Sequence, residues 1–229
     1  MRCETCRKSQ IAYHKSKIIM RRAIINKAMR CIDEVYPGMD VVNAPYFPVG
    51  KFLDEAGLRI IKAAPLHALG RGLSFKNTTE GDGPPPRNKV SLTDNGDGSG
   101  RIMLPPMFCR LISLRMEGWQ RPVTEAIRVD NPLYAKQFNP LTRGGVVKPV
   151  AVLTQGDKAL DFFSVPQGKP MKIAELRVFI YYGVRNNYPS KLADAAAWQL
   201  AALILGTMED TKAAETAQQR AIEMVRLLD

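Results

Sequence analysis

Cys3 and Cys6 have the two-residue gap of half a zinc site, with His14 and Cys31 the residues that could complete it. The gaps to His14 and Cys31 match no common zinc module, so this segment is read as a thiol-bearing terminus and no metal is expected. Acid-base or nucleophilic catalysis needs a base held near its partner, and His14 and His67 are the two histidines, neither beside a recognisable motif. His67 lies in Pro65-Leu-His-Ala-Leu69, where a packing role is expected. Gly70-Arg-Gly-Leu-Ser-Phe-Lys76 has the residue types of a phosphate loop without the four-residue gap and the closing Gly-Lys-Ser/Thr, and is read as a turn. Thr93-Asp-Asn-Gly-Asp-Gly-Ser-Gly100 resembles a calcium loop. With Gly98 at the obligatory glycine position, however, the first ligand is Thr93 and the twelfth Leu104, so a glycine-rich hairpin loop fits better. The paired acids Asp33-Glu34, Asp54-Glu55 and Glu209-Asp210 read as solvated helix faces. No catalytic residue, metal or cofactor is expected, and the chain is not expected to be an enzyme.

A chain of 229 residues with 45% hydrophobic content can bury a core and is long enough for one domain, or one domain with an insertion. The richest apolar stretch, Leu192–Leu205, is broken by Asp194 and Gln199, so no membrane span is expected. The charged N-terminus meets no apolar block before Ile18-Ile19-Met20, so no signal peptide is expected and synthesis is placed in a cytoplasm, where the four cysteines stay reduced. The net charge is +11, and residues 1–30 carry nine cations against Glu4. Such an excess suits a polyanionic neighbour, nucleic acid or an acidic protein surface; it equally suits a solvated basic helix face.

The elements that would position these charges follow from apolar spacing. Ile18, Ile25, Met29, Ile32 and Val35 form a helical stripe over Lys15–Val35, with Arg21, Arg22, Lys27 and Arg30 opposite and Lys15 and Lys17 before them; Pro37-Gly38 ends the helix. Pro45, Pro48 and Gly50 mark a linker, after which a helix beginning near Lys51 buries Phe52, Leu53, Ala56, Ile60 and Ile61 and is limited by Pro65. From Arg71 the pattern changes to short runs bounded by turn residues: Lys89–Leu92, Arg101–Leu104, Phe108–Met116, Pro149–Thr154, Lys158–Val165 and Ile173–Tyr182. Gln155-Gly-Asp157 predicts a hairpin turn, and Asn77–Asn88, with almost nothing to bury, a long exposed loop that protease should cut first. Helix returns after Pro189 with Ser190 as N-cap and Leu192, Ala196, Leu200, Leu203 and Ile204 on one face, stopping at Gly206. Thr207 and Asp210 suggest a capping box for a last helix with Ala214, Ala217, Ala221, Met224 and Leu228 inward.

The fold class expected is therefore α+β, with N- and C-terminal helices closing into one α-helical unit around an inserted β domain. The divisions are 1–70 for the first helices, 71–182 for the β-rich insertion and 183–229 for the helix hairpin.

Tyr188-Pro-Ser-Lys-Leu-Ala-Asp-Ala-Ala-Ala-Trp-Gln-Leu-Ala-Ala202, followed by an acidic loop and the Ala-rich helix Thr211–Leu228, resembles the terminal helix pair of head-to-tail connector proteins of short-tailed bacteriophages. Trp198, Leu200 and Ala201 carry most of that likeness. Arg101–Leu111 is similar to a leucine-proline strand of such connectors, and Met116–Val123, Arg143-Gly-Gly145 and Lys148–Leu153 resemble the ring proteins of crAss-like phages. The resemblance implies a virion structural protein, assembled in the host cytoplasm, that forms a homo-oligomeric ring, commonly a dodecamer, around the DNA channel. Its implied partners are the portal protein, a downstream tail or ring protein and, without sequence specificity, packaged DNA. Lys15, Lys17, Arg21, Arg22, Lys27 and Arg30 are the expected partner or DNA contact, and Trp119, Trp198 and Leu200 the expected interface or core anchors. The alternative is a basic nucleic-acid-binding module using the N-terminal helix.

Overall fold

The computed structural model describes residues 4–37, 49–77, 89–166, 171–184 and 188–228. In chain order the elements are α1 (Glu4–Val35), α2 (Val49–Ala63), β1 (Leu73–Asn77), β2 (Lys89–Val90), β3 (Leu92–Asp94), β4 (Gly100–Met103) and β5 (Phe108–Met116). There follow β6 (Ile127–Arg128), α3 (Pro132–Lys136), β7 (Ala151–Thr154), β8 (Ala159–Phe162), β9 (Ile173–Ile180), α4 (Ala193–Thr207) and α5 (Thr211–Arg226). The chain is α+β, and it divides into a helical unit, Met1–Gly70 with Tyr181–Asp229, and a β unit, Arg71–Ile180.

In the helical unit α4 is the central element, packed by α5, α2 and α1. Its sequence explains this position: all eight residues from Ala195 to Ala202 are buried, with Ile204 and Leu205, and a helix that is apolar all round has to be surrounded. Small residues set the spacing. α5 turns Ala213, Ala217, Ala221 and Val225 inward at every fourth position, so its backbone can come close to the alanines of α4. α2 buries Leu53, Ala56, Gly57, Ile60 and Ile61. A Cβ on Gly57 would lie 2.6 Å from a Val184 methyl and 3.1 Å from the Tyr188 ring, so the segment returning to this unit needs glycine there.

Several local expectations are corrected. α1 buries Ile24, Ala28, Cys31 and Ile32, leaving Ile25, Met29 and Val35 half-buried and Ile19 exposed. The stripe is rotated because close helix packing favours small Ala28 and Cys31 over the larger chains that apolar spacing selected. α2 begins at Val49, so Gly50 lies in its first turn. Ser190 is in a 3-10 turn, Ser190–Leu192, whose leading residue is Pro189, and α4 starts at Ala193 without a side-chain cap. Thr207 closes α4, one residue past Gly206, and its hydroxyl donates to Ile204 O; Asp210 alone caps α5 by accepting from Ala213 N at 3.0 Å. On α5 the inward alanine is Ala213, and Ala214, Met224 and Leu228 are half-buried.

The β unit contains a four-stranded sheet in the order β2-β1-β9-β5 and a five-stranded sheet in the order β3-β4-β8-β7-β6. One core draws on both, with Phe75, Leu111, Leu114, Leu176 and Val178 from the first and Ile102, Leu160 and Phe162 from the second. Antiparallel β5 and β9 are the longest pair and contain three register shifts. Gln155, Gly156 and Asp157, all with positive φ, turn β7 into β8 as the sequence predicts. Arg101 faces Asp161 across β4 and β8, and its guanidinium donates through Nε at 2.6 Å and Nη2 at 2.8 Å.

The run Lys89–Leu92 is not one strand: β2 pairs with β1 in one sheet and β3 with β4 in the other, with Ser91 between. The segment read as a turn at Gly70–Lys76 contributes most of β1, because Leu73, Ser74 and Phe75 pair with β9. Residues 149 and 150 precede β7, and Tyr181 leaves β9 to donate its hydroxyl to Asp54 O at 2.7 Å. The exposed loop expected at Asn77–Asn88 lies, beyond Asn77, outside the described residues.

Candidate interaction surfaces

All six basic residues expected to form a contact are on α1, and for Lys15 and Lys17 the described part is the backbone. The other four do not form one free positive face. Arg21 Nη1 donates to Asp54 Oδ1 at 2.8 Å and to Val184 O at 3.3 Å, and Nη2 donates to Gly50 O at 3.3 Å. Lys27 pairs with Asp194 at 2.5 Å. Arg22 and Arg30 are exposed. Arg21 and Lys27 therefore each meet an acidic partner on a neighbouring helix, Asp54 on α2 and Asp194 on α4.

Asp54, expected on a solvated face, is the centre of several such contacts. Its Oδ1 also accepts from Val184 N at 2.9 Å, and a Cβ on Gly183, where φ is +90°, would stand 2.7 Å from that same oxygen. Tyr188 completes the arrangement by donating to Gly57 O at 3.4 Å and standing edge-on to Tyr181 at 6.5 Å. Burial, with Tyr181 adding to it, pushes the Tyr188 phenol well above its ordinary range, so it stays a neutral donor.

The three anchors are all interior: Trp198 and Leu200 on α4, and Trp119 in the β unit. Trp119 donates its indole N–H to Ser164 O at 3.2 Å and meets Phe162 edge-on at 6.3 Å. His67 is exposed instead of packed, its Nε2 2.6 Å from Leu228 O. In the Thr93–Gly100 loop the acids bind the loop itself: Asp94 Oδ1 accepts from Gly96 N, and Asp97 Oδ1 accepts from Ser99 N and from the Ser99 hydroxyl. The Ser99 hydrogen bonds hold the Asp97 carboxyl below its ordinary range. Among the described residues there is no group of three His, Cys, Asp or Glu side chains placed to hold a metal, and Cys3 lies outside them. No described helix is long and apolar enough to cross a membrane.

A second surface was not anticipated from the sequence. β6 and β7 are parallel neighbours, Arg128 opposite Leu153, so residues 129–150 must make a crossover. This connection is pinned by its own polar groups. Asn131 caps α3 through Leu133 N, with Pro132 at the first helical position. Gln137 is buried, its Nε2 donating to Leu133 O at 2.9 Å while its Oε1 accepts from Gly144 N at 3.0 Å. Asn139 Oδ1 accepts from Leu141 N, the Thr142 hydroxyl donates to Lys136 O, and Arg143 Nη2 donates to Asp97 O.

A connection held this firmly nevertheless leaves apolar side chains outside. Leu141 is 93% exposed and Phe138 67%, with Val129, Leu133 and Val147 also exposed. Phe138 stands edge-on to Tyr134 and Phe163 at 5.0 and 6.2 Å, so its direction is fixed. At the start of the connection an open pocket of about 380 Å³ is lined by Glu125, Ala126, Ile127, Arg128, Asp130 and Asn131. The signal in the sequence was Asn131-Pro132 and Asn139-Pro140 bracketing apolar residues that follow neither the strand nor the helix period.

Compared with known proteins, the chain matches no family model and no curated protein.

Proposed function

We propose that this chain is a virion structural protein, a head-to-tail connector subunit that forms a ring between portal and tail around the DNA channel. The observation that carries the reading is the connection Val129–Val150 of the β unit, an ordered surface element that holds Phe138 and Leu141 toward solvent. Apolar chains held out by a buried glutamine are a cost to an isolated subunit and a use to one that docks. The helical unit is compatible with the same role: its termini close around α4, whose Trp198 and Leu200 carry the resemblance to connector helix pairs. The partners in this reading are further copies of the chain, the portal protein and a downstream tail or ring protein.

The test is electron microscopy of the purified protein alone and mixed with portal protein. Rings, or decoration of one end of the portal, are expected. A subunit that stays monomeric and ignores portal would end this reading.

The net charge of +11, with Arg22 and Arg30 exposed on α1, favours a second reading as a nucleic-acid-binding module. Its mark would be tight, sequence-insensitive DNA binding by the monomer that weakens steeply with salt. The engagement of Arg21 and Lys27 within the subunit leaves fewer cations for that task.

A further inference from the structure

We propose that the connection Val129–Val150 is a self-docking element whose tip, Phe138 and Leu141 with Lys136 and Arg143, seats against the pocket at Glu125 and Asp130 of a second copy of this chain. The proposal rests on the ring reading and names the contact that would build the ring.

Chemistry selects the occupant. Leu141 and Phe138 gain from water only by meeting other apolar groups, which a phosphate backbone does not offer. Between 129 and 148 the charges are Lys136, Arg143 and Lys148 against Asp130, so the partner surface should be acidic as well as apolar. The pocket is mainly polar, with the exposed carboxylates of Glu125 and Asp130 in its lining, and Ala126 and Ile127 supply a smaller apolar part. Its one cation, Arg128, is answered within the chain by Asp157 at 2.9 Å, so the two carboxylates set its sign.

Assembly follows from where the two halves of the contact lie. The tip and the pocket are different groups of residues in the same unit, and if the tip of each copy enters the pocket of the next in one direction the contact is heterologous and closes into a ring when the rotation allows. Pre-organisation helps, because the bonds of Gln137, Asn139 and Thr142 have already ordered the tip before any partner arrives.

The experiment measures the mass distribution of the full chain over a concentration series by analytical ultracentrifugation, for wild type, Leu141→Asp, Lys136→Glu, Glu125→Lys and the Lys136→Glu/Glu125→Lys pair. These positions are exposed, so circular dichroism and melting should match wild type in every case. Leu141→Asp should weaken assembly by tenfold or more and each charge reversal several-fold, while the paired reversal should recover most of the loss. Wild-type rings with variants that assemble equally well would overturn this contact and leave the ring reading standing, as would a paired reversal that restores nothing. A wild type that is monomeric at every concentration, with or without portal protein, removes the ring reading and the contact with it.

Discussion

The two units use their polar and apolar side chains in opposite senses. In the helical unit charged and polar groups are turned to internal work: Arg21, Asp54, Tyr181 and Tyr188 tie the returning chain to α1 and α2, and α4 has hardly an exposed residue along most of its length. In the β unit the core is as well filled, with Phe162, Leu114 and Leu160 fully buried, yet a connection held by Gln137 keeps Leu141 and Phe138 in water. Order in the first unit serves its own closure, and order in the second displays a surface. The connector role proposed above would draw on both.

The largest effect is expected from removing residues 190–229. That deletion takes away α4, the element against which α1 and α2 pack, and exposes Ile24, Ile32, Leu53 and Ile61. Loss of the cooperative helical melting transition is expected, read by far-ultraviolet circular dichroism. A soluble chain of residues 1–189 that still melted cooperatively with its helices intact would show that α4 is not the centre of the unit. Next in size, Leu200→Ala should cost about 2–5 kcal/mol, since Leu200 is fully buried, whereas Leu141→Ala should stay within about 0.5 kcal/mol. Denaturant midpoints of the two variants test the contrast, and equal losses would mean that Leu141 is not a display residue.

The α+β class and the inserted arrangement were legible because Pro and Gly punctuate the change from helical to alternating patterns near Arg71, and because Leu53, Ala56, Ile60 and Ile61 keep strict helical spacing. What escaped were features decided by tertiary neighbours. Ala28 and Cys31 look unremarkable beside Met29, yet small size is what a close α4 requires. Leu73–Phe75 becomes a strand only because β9 is there to pair with it. Arg21 looks like any surface cation until Asp54, 33 positions away, is beside it. The display connection escaped for the opposite reason, since apolar residues without period are ordinarily read as loop, and nothing local says that Gln137 will be buried to hold them.

Arg21 and Arg22 are neighbours in sequence with different surroundings. Arg21→Glu places a carboxylate beside Asp54 and Val184 O in a half-buried site and should lower stability by about 1–2 kcal/mol. Arg22→Glu, on an exposed position, should leave the melting curve unchanged and alter only salt-dependent binding to an anionic partner. If both substitutions left melting untouched, the fastening of α1 would have no energetic weight, and the six cations could be treated as one surface after all.

The smallest effect, absent at neutral pH, concerns Cys31 on the buried face of α1. Burial first, and then the Glu34 carboxylate, push its thiol from an ordinary value of 9.0 to about 11, with Lys27 working in the other direction and Asp194 adding to the rise. The folded state thus keeps a proton that the unfolded chain gives up above about pH 9. Proton binding is then greater in the folded state, so stability is full below pH 9 and declines as pH climbs from 9 toward 11. A decline with pH does not by itself identify the thiol. Cys31→Ala does, because it removes the thiol contribution and leaves Lys27 and Asp194 in place. The slope of melting temperature against pH over that window should be shallower in Cys31→Ala than in wild type. Alkylation offers an independent check, since at pH 8 the folded protein should hold roughly a hundredth of the Cys31 thiolate of an ordinary cysteine and label correspondingly slowly. Fast labelling of Cys31 in the folded protein, identified by peptide mass, would mean that α1 does not stay packed on α4 at that turn, and the contrast between a closed helical unit and a displaying β unit would lose one of its supports.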